Sequence, residues 1–355
     1  MSARPKSEAR SAKRTRPPGA AQAPADPGGR ISLELGSGGR LMREFLRTHI
    51  LGSFRSPLLR NLPDAAHLPR ETALTTDGYV VDPIFFPGGD IGSLCVNGTV
   101  NDLVVSGAVP EHLSVSMILE EGLPEKDLAR VLASIARAAA GAGVQVATGD
   151  TKVVRRGQAD KLFIVTSGVG RVVARPETRR IRPGDAVIVT GTLGEHSLAV
   201  LLARGDFNLR SAVKSDCAPL GFLLPLWKQG VLWMRDVTRG GLATNLCELA
   251  EKLPYSILVE EERIPLSRPV RGACELLGID PLYLACEGRA VMVVPEKKAG
   301  AVLHALVRHP QGRKAAVIGR IERKAGRPGE LLLATQAGGL RKLEPLTSEL
   351  LPRIC

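Results

Sequence analysis

The hydrophobic and polar positions of the chain predict an alternation of strands and helices that begins at Ile31. After Pro124, apolar residues recur at helical spacing, and Gly141 stands where a cap at the helix C-terminus is expected. Runs of apolar and β-branched residues predict strands over residues 73–81, 113–119, 144–147 and 162–165. Together these elements predict an α+β domain over residues 31–170.

A second round of strands and helices follows this domain. Gly240 opens one predicted helix, and Gly278 closes another over residues 269–277. Strands are predicted over residues 186–191, 290–294 and 315–319, and a further helix over residues 297–307. The pattern predicts a second domain over residues 171–340. The fold class is therefore α/β (α+β), with an N-terminal domain built on a mixed sheet and a C-terminal α/β domain.

Residues 341–355 form a predicted flexible tail, because Pro345 and Pro352 discourage regular structure. The tail ends on Cys355. Fifteen extended residues reach at most about 50 Å, so such an arm is long enough to visit two active sites. A stray terminal cysteine is the alternative, but with six cysteines in 355 residues it is a rare outcome of chance. We therefore interpret Cys355 as the carrier of a covalent intermediate.

The chain carries a formal net charge of +12, and residues 1–30 hold seven basic residues against two acidic ones. This segment has no hydrophobic periodicity, which predicts a disordered basic extension. A basic protein can bind nucleic acid, but aromatic residues make up only 3% of the chain and no nucleic-acid-binding motif is present. The charge suits anionic small molecules such as nucleotides better.

The sequence contains no apolar run of about 18 residues and no signal-peptide core at its N-terminus. We expect a cytoplasmic protein with no membrane segment. The six cysteines are widely spaced and form no CxxC pair, which predicts reduced thiols.

Phosphate-binding chemistry is suggested by glycines next to an arginine, although no complete Walker or Rossmann motif is present. Gly36, Ser37, Gly38 and Gly39 precede Arg40, and missing side chains let backbone N–H groups approach an anion. A flexible entry to the fold explains the same glycines equally well.

A second set of candidates consists of carboxylates with polar neighbours at the ends of predicted strands. Three aspartates at strand or loop ends could converge on magnesium, which prefers hard oxygen ligands. A turn or cap role is the alternative for each aspartate taken alone. The candidates are Thr76 with Asp77, Asn101 with Asp102, and Asp150 with Thr151 and Lys152.

Two further candidates lie in the second predicted domain. Asp236, Arg239 and Gly240 lead into a helix, and a helix N-terminus preceded by glycines and an arginine binds anions. The alternative is that Thr238 simply caps this helix. Glu287 precedes a predicted strand, where it is either a general base or an ordinary surface residue.

Taken together, several motifs resemble those of the HypE family of nickel-iron hydrogenase maturation factors, which belongs to the PurM-like superfamily of AIR synthetase. The resemblance covers residues 31–355, and the combination of motifs is specific. The motifs are residues 36–39, Thr76-Asp77, residues 82–89, residues 98–102 with Ser106-Gly107-Ala108, residues 120–122, residues 149–153, residues 235–241 and the final residues 352–355.

This resemblance implies a PurM-like homodimer that uses ATP and Mg²⁺. A HypF-like carbamoyltransferase would load a carboxamide onto Cys355, the chain would dehydrate it to a thiocyanate, and the nitrile group would pass to iron on a HypC and HypD scaffold. The resemblance assigns Asp77, Asp102 and Asp150 to magnesium and Glu287 to base catalysis. It assigns Lys152 to charge stabilisation. The phosphate-binding residues would be Gly36, Ser37, Gly38, Gly39, Thr76, Asn101, Thr151, Asp236, Arg239 and Gly240.

The sequence departs from the family pattern at a few positions. Leu35 replaces a histidine that many relatives have before the first glycine, Asn97 stands where small residues or cysteine are usual, and Cys286 stands where asparagine is also common. None of these changes removes a proposed ligand.

Three other functions remain open at this point. A selenophosphate synthetase would need a reactive residue in the N-terminal glycine-rich loop, where Ser37 offers neither thiol nor selenol. An adaptor protein would use its tail to dock a partner and would retain only a vestigial nucleotide site. A DNA-binding protein would depend on the arginine-rich residues 1–30, and its binding would weaken with salt.

Overall fold

The computed structural model describes residues 31–36, 39–54, 56–59, 62–205, 211–323, 325–347, 351 and 353–355, so the predicted extension over residues 1–30 lies outside the described residues. Residues 33–355 belong to one structural unit.

Alternating buried and exposed residues give the first sheet of the molecule one buried face. Along its strand Thr72–Tyr79, the side chains of Ala73, Thr75 and Tyr79 are buried, whereas those of Leu74 and Thr76 are exposed. One face of the sheet therefore packs against the protein and the other faces solvent.

The first part of the chain builds a five-stranded sheet in the order β1-β2-β7-β5-β6, in which only β5 and β6 pair in parallel. A small two-stranded sheet of β3 and β4 lies outside it. The elements are α1 (Arg40–Phe45), a π-helical segment (Leu46–Leu51), α2 (Gly52–Phe54), β1 (Ala66–Leu68), β2 (Thr72–Tyr79), β3 (Phe85–Phe86), β4 (Gly89–Asp90), α3 (Ile91–Val105), β5 (Ala108–Glu120), α4 (Glu125–Ala142), β6 (Gln145–Val154) and β7 (Leu162–Val172).

The second part builds a seven-stranded mixed sheet in the order β14-β13-β10-β12-β8-β11-β9, in which only β10 and β13 pair in parallel. Its elements are β8 (Ala186–Val189), α5 (Glu195–Arg204), α6 (Leu224–Gln229), β9 (Trp233–Asp236), α7 (Gly241–Ala250), β10 (Ser256–Glu260), α8 (Arg268–Leu277), β11 (Ala290–Val294), α9 (Glu296–Arg308), β12 (Ala316–Glu322), β13 (Leu331–Ala334) and β14 (Leu340–Leu343).

Single 3-10 turns connect several of these elements. They are Leu33–Gly36, Pro57–Leu59, Thr178–Arg180, Gly221–Leu223, Glu261–Arg263, Pro281–Tyr283 and Pro310–Gly312.

Helix α3 links the two sheets. It packs against β2 and β7 of the first sheet and against β9 of the second, and 13 of its 15 residues are buried. A reciprocal capping box fixes its start, because the Asp90 side chain accepts from the Ser93 N–H while the Ser93 hydroxyl accepts from the Asp90 N–H. The helix therefore carries residues such as Asp102 to the junction between the sheets.

The mixed α/β fold class is confirmed, and so are most of the predicted elements. The strand Ala290–Val294 and the closing role of Gly278 agree with the prediction. The cap of α4 does not, because Gly141 lies inside the helix and the chain leaves it at Gly143, with a φ of 70°. Glycine adopts this left-handed conformation without the penalty that a Cβ would impose.

The predicted tail differs from the structure at both ends. Its first residues, 341–343, belong to β14, which pairs with β13, so regular structure continues up to Leu343. At the other end, Arg353, Ile354 and Cys355 hydrogen-bond to the body of the protein. The two prolines therefore do not keep the whole segment free of the fold.

None of the described helices is long and apolar enough to cross a membrane. All six cysteines lie in the described part of the chain, and no disulfide joins any of them.

We predict that the close packing of α3 dominates stability. Leu94 is fully buried, so Leu94→Ala should lower the free energy of unfolding by about 3 kcal/mol, because it leaves a cavity between the layers. Urea denaturation followed by circular dichroism measures this change. Leu132→Ala on α4, where the leucine is exposed, is the control and should cost less than about 1 kcal/mol. Equal losses in both variants would contradict the central position of α3.

Candidate active site

Three aspartates, Asp64, Asp77 and Asp102, line a cavity of about 530 Å³ where the two sheets meet. A fourth, Asp236, lies next to Asp64 and Asp102 without lining the cavity itself. Carboxylate oxygens of Asp64, Asp102 and Asp236 all lie within 4.8 Å of one another. Such a group of hard oxygen donors suits a divalent cation.

Each of the three clustered carboxylates comes from a different element. Asp64 lies in the loop before β1, Asp102 on α3, and Asp236 at the end of β9. The Thr75 hydroxyl lies 2.7 Å from Asp102 Oδ2 and 2.8 Å from the Asp64 carbonyl oxygen, so β2 ties the first two together. The cluster therefore forms only when the helix and both sheets have assembled.

The cluster is rich in negative charge that burial makes costly. Burial raises the pKa of Asp64, and burial together with Asp77 and Asp236 raises the pKa of Asp102 well above its usual range. Burial, followed by the charge of Asp64, raises the pKa of Asp236 to about 8. A bound cation would relieve this repulsion and return the carboxyls to their ionised form.

Basic side chains surround the acidic cluster. Arg235 Nε lies 3.0 Å from Asp64, and its Nη1 donates to Glu248 at 2.5 Å. Burial lowers the pKa of Arg235, but the negative charges of Asp64 and Glu248 raise it by more, so the net shift of this pKa is upward. Arg47 and Lys252 also line the cavity. An acidic centre with a basic rim can hold a cation together with the phosphates of a nucleotide.

A second, smaller cavity contains the end of the chain. Cys355 lines it together with Ile354, Tyr283 and Arg239. Arg239 also lines the acidic cavity, so one residue borders both spaces. The negative charge of Cys355 raises the pKa of Arg239 more than those of Asp77 and Glu287 do. Arg239 therefore connects the terminal cysteine to the acidic cluster.

Glu287 is buried beside this connection, with 3% of its surface exposed. Burial, and then the charges of Asp236, Asp216 and Asp77, raise the pKa of Glu287 well above its usual range, whereas Arg239 lowers it. The backbone of Glu287 is held by the Asp216 carboxylate, which accepts its N–H at 3.1 Å. A fixed carboxyl with a raised pKa is a stronger base than an exposed one.

Asn101 supports the Glu287 loop from α3. Its amide nitrogen donates to the carbonyl oxygens of Ala218 and Glu287, and its amide oxygen accepts from the Leu220 N–H at 2.7 Å. In this arrangement the side chain faces protein backbone and not the acidic cavity. The sequence motif predicts a phosphate contact for Asn101, whereas in the structure its side chain holds the backbone near Glu287.

The other predicted phosphate-binding residues lie in different places. Thr76 lines the acidic cavity, and Gly240 precedes α7 with a φ of 77°. Gly39 packs so closely on the Leu346 carbonyl oxygen that a Cβ would lie 1.9 Å from it. Gly36 is exposed at the end of a 3-10 turn, and Ser37 and Gly38 lie outside the described residues.

Asp150, Thr151 and Lys152 do not join the acidic cluster within one chain. They are exposed on β6 at the edge of the first sheet, where Lys152 pairs with Asp150 at 3.1 Å. Asp150 pairs with Ser116, and two further strand pairings lead to Gly78 next to Asp77. Three strand spacings of roughly 4.8 Å put about 14 Å between these positions.

Sequence reasoning missed Asp64 as a member of the cluster. It follows Leu62 and Pro63 in a loop that shows no motif. Its one signal was a carboxylate directly before a predicted strand, a position where most aspartates serve turns. For Asp236 the sequence predicts a nucleotide contact, whereas the structure also places it among the possible metal ligands.

Comparisons with protein families define the class to which this fold and site belong. The family "AIR synthase related protein, N-terminal domain" matches residues 63–172, and "AIR synthase related protein, C-terminal domain" matches residues 182–327. The chain is thus an AIR synthase related protein, with the acidic cluster at the junction of the two matched regions.

More similar relatives narrow the class to one family. "Carbamoyl dehydratase HypE" of Rhodobacter capsulatus is 45% identical over 339 residues, which cover 92% of this chain and 98% of that protein. A crystal structure of HypE in complex with ATP is 44% identical with a TM-score of 0.77, and the match covers 91% of this chain and all of that one. The crystal structure of a HypE-HypF complex contains a chain that is 37% identical to this one, with a TM-score of 0.80. That match covers 85% of this chain and 99% of the other. The chain belongs to the HypE family of carbamoyl dehydratases, and the predicted family is confirmed.

We predict that the acidic cluster makes stability depend on pH. The folded chain holds the Asp236 proton up to pH about 8, whereas an ordinary aspartate loses it near 3.8. The folded state thus binds more protons in this window, and the free energy of unfolding falls as pH rises through it. Relative to wild type, Asp236→Asn should be more stable at pH 9 than at pH 5, by up to about 4 kcal/mol, because about three pH units of this window separate pH 5 from the raised pKa.

Thermal unfolding in metal-free buffer at the two pH values measures this difference. Asp150→Asn is the matched control, because Asp150 is exposed and hydrogen bonds from Lys152 lower its pKa. It should not gain stability between pH 5 and pH 9. A pH-independent effect of Asp236→Asn would show that the cluster is not strained by its charge.

Proposed function

We propose that the chain dehydrates a carboxamide carried on its own Cys355 to a thiocyanate, at the expense of ATP, and so supplies the cyanide ligand for hydrogenase iron. The observation that supports this most directly is the position of Arg239, which faces both the acidic cavity and the terminal cysteine. Such a junction suits a reaction in which a group on the tail meets a nucleotide bound in the larger cavity.

The reaction has two steps whose atoms balance. In the first, the carboxamide oxygen attacks the γ-phosphorus of ATP, the bond to the β-phosphate breaks, ADP leaves, and nitrogen gives up one of its two protons. In the second, nitrogen loses its remaining proton, the carbon-oxygen bond breaks, and phosphate departs with the former amide oxygen. The sulfur then carries a nitrile. Phosphorylation is needed because the oxygen of an amide is otherwise a poor leaving group.

The residues of the acidic cluster fit Mg²⁺. Asp64, Asp102 and Asp236 would hold the ion, a set that differs from the one implied by the resemblance, since Asp150 is remote and Asp77 lines the cavity without belonging to the carboxylate group. The buried like charges of the cluster support this assignment. When bound, magnesium would neutralise phosphate charge.

The chain's own side chains supply the remaining functions. Arg239 is placed to hold the carboxamide or the developing phosphate charge next to Cys355. Glu287, buried and of raised pKa, is the candidate that accepts the N–H proton in the second step. The Asp216 and Asn101 contacts fix the Glu287 backbone, so the base keeps its position.

The relatives suggest partners. Because one relative forms a HypE-HypF complex, we propose a HypF-like carbamoyltransferase as the protein that loads Cys355. A HypC and HypD scaffold would receive the nitrile. The cytoplasm, where thiols stay reduced, is the compartment that we propose for these steps.

We predict that dehydration depends on the terminal sulfur. After carbamoylation by a HypF-type enzyme, intact-mass spectrometry should show ATP-dependent loss of one water from the wild-type chain. Cys355→Ser should give no thiocyanate, because a serine does not provide the sulfur that carries the group. Cys274→Ala, which changes a buried cysteine of α8, should still show the loss. Water loss from the Cys355→Ser chain would refute the role of the tail.

A homodimer through the first sheet is the second part of the proposal. On the face turned away from α3, Leu74 is 40% and Val165 41% exposed. In the described part of the chain no strand pairs with the outer edge of β6, on which Val153 is 70% exposed. An apolar sheet face next to an open edge is a surface that a second copy can cover.

The dimer gives Lys152 a route to the phosphates. Three strand pairings separate Lys152 and Asp150 from the position of Asp77 in their own chain. At the usual spacing between strands this is a distance of about 14 Å across the sheet. They can serve the proposed role only if they reach the acidic cluster of the partner. We therefore assign them to that neighbouring site.

We predict that two inactive variants restore activity in a mixed dimer. Lys152→Ala and Asp102→Asn should each be inactive alone, since each disrupts both sites of its own dimer. Co-expression should restore about a quarter of wild-type activity, because half of the dimers are mixed and each contains one intact site. ATP-dependent water loss measures the activity.

The matched control is Lys152→Ala co-expressed with Asp150→Asn. Both changes lie on β6, so every site in that mixture lacks one of the two side chains, and activity should stay low. If the Lys152→Ala and Asp102→Asn pair also stays inactive while forming dimers, Lys152 acts within its own chain or not at all.

A further inference from the structure

Helix α5 holds the end of the chain at two points, one at each end of the helix. Near its start, His196 Nε2 donates to the carbonyl oxygen of Ile354 at 2.9 Å. At its last residue, Arg204 Nη2 donates to the carbonyl oxygen of Arg353 at 2.6 Å, and Arg204 Nε donates to the backbone carbonyl oxygen of Asp82 at 2.8 Å. The two peptide groups before Cys355 are thus fixed by side chains of one helix.

The hydrogen bonds of His196 fix its tautomer. A carbonyl oxygen only accepts, so Nε2 carries the proton that is donated to Ile354, and Nδ1 must accept. The Ser215 hydroxyl donates to Nδ1 at 2.8 Å while its oxygen accepts the Cys217 N–H at 3.0 Å. The serine therefore orients the histidine ring so that Nε2–H points to the tail.

Burial keeps this histidine neutral. His196 is fully buried, and its ring lies edge-on to Phe86 at 5.4 Å between centroids. Burial lowers the pKa of His196 to about 4. Its hydrogen bond to the tail thus persists at neutral pH, and it is formed where no water competes for the carbonyl oxygen.

Further contacts surround the same three residues. The Val80 N–H donates to a main-chain carboxylate oxygen of Cys355 and the Asp82 N–H donates to the carbonyl oxygen of Arg353, both at 3.3 Å. The Ile354 side chain is only 5% exposed. A terminal segment loses conformational entropy when it docks, and these contacts offset that loss.

We propose that His196 is a positioning residue that holds the tail in its docked place and so divides Cys355 between dehydration and loading. The inference rests on the proposed function, because it assumes that the same thiol is loaded by a partner and dehydrated in the cavity. Cys355 can be dehydrated while docked beside Arg239, whereas a partner enzyme needs it withdrawn. The two reactions therefore compete for opposite positions of the tail.

The proposal predicts opposite effects on the two reactions. Weakening the His196 contact lowers the docked fraction, so dehydration slows and loading becomes faster or stays unchanged. A general folding defect would slow both reactions. The opposition between the two rates is thus the signature of a positioning role.

The experiment compares two replacements of similar size in the full chain. His196→Leu fills the space without a donor, and His196→Gln offers an amide N–H where Nε2 stood. Single-turnover water loss from pre-carbamoylated chain should slow about threefold in His196→Leu, because losing one buried hydrogen bond shifts the docking equilibrium about tenfold and that factor divides between the docked and the withdrawn fraction. It should recover at least partly in His196→Gln. His304→Leu, on the exposed face of α9, should match wild type.

Loading by a HypF-type enzyme is measured on the same proteins and should not slow in His196→Leu. If His196→Leu and His196→Gln are equally impaired, or if loading slows as much as dehydration, His196 has only a structural role and the proposal is overturned.

A third measurement separates this inference from the proposed function. Alkylation of Cys355 by N-ethylmaleimide, followed by mass spectrometry of the C-terminal peptide, reports docking without any catalysis. It should be about threefold faster in His196→Leu than in wild type, because the withdrawn fraction controls access to the thiol and rises as the docked fraction falls. If wild type never loses water but this difference appears, the proposed function fails and the positioning role stands. Equal alkylation rates would overturn the positioning role even if dehydration occurs.

Discussion

The burial of several carboxylates at one point is the constraint on which the rest of this structure depends. Asp64, Asp102 and Asp236 come from a loop, a helix and a strand, yet their oxygens lie within 4.8 Å of one another. Bringing like charges together out of water costs free energy, which the fold must recover elsewhere. The buried helix α3 and the apolar faces of two sheets supply the required stability. A cation bound between the carboxylates would offset part of this cost.

The same constraint explains why the chain end lies where it does. Phosphoryl transfer to a carboxamide needs both partners in register, and little covalent chemistry is left for the protein beyond positioning and charge. Arg239 meets this need, because it faces the acidic cavity on one side and Cys355 on the other. A substrate that belongs to the enzyme's own chain does not dissociate between steps. Its position therefore has to be controlled by contacts along the tail.

The sequence predicted the fold well because helical and strand periodicities persist wherever one face of an element is buried. The helix closed by Gly278 and the strand Ala290–Val294 are examples of such local agreement. It predicted the site less completely, since no local pattern shows that Asp64 approaches Asp102 across 38 positions of the chain. Asn101 illustrates the opposite case. Its motif indicated a ligand contact, but its amide bonds instead to backbone near Glu287, a relation visible only in three dimensions.

The glycine motif near the start of the fold shows how a single residue can serve two purposes. The Arg40 N–H donates to the Leu346 carbonyl oxygen at 2.8 Å, and a Cβ on Gly39 would collide with that same oxygen. This contact ties the segment before α1 to the segment that leads into the tail. A glycine at position 39 is thus required by the approach of two backbones, whatever anion it also meets. Both ends of the folded unit therefore converge at the site, and the tail starts from a fixed point before it reaches Arg239.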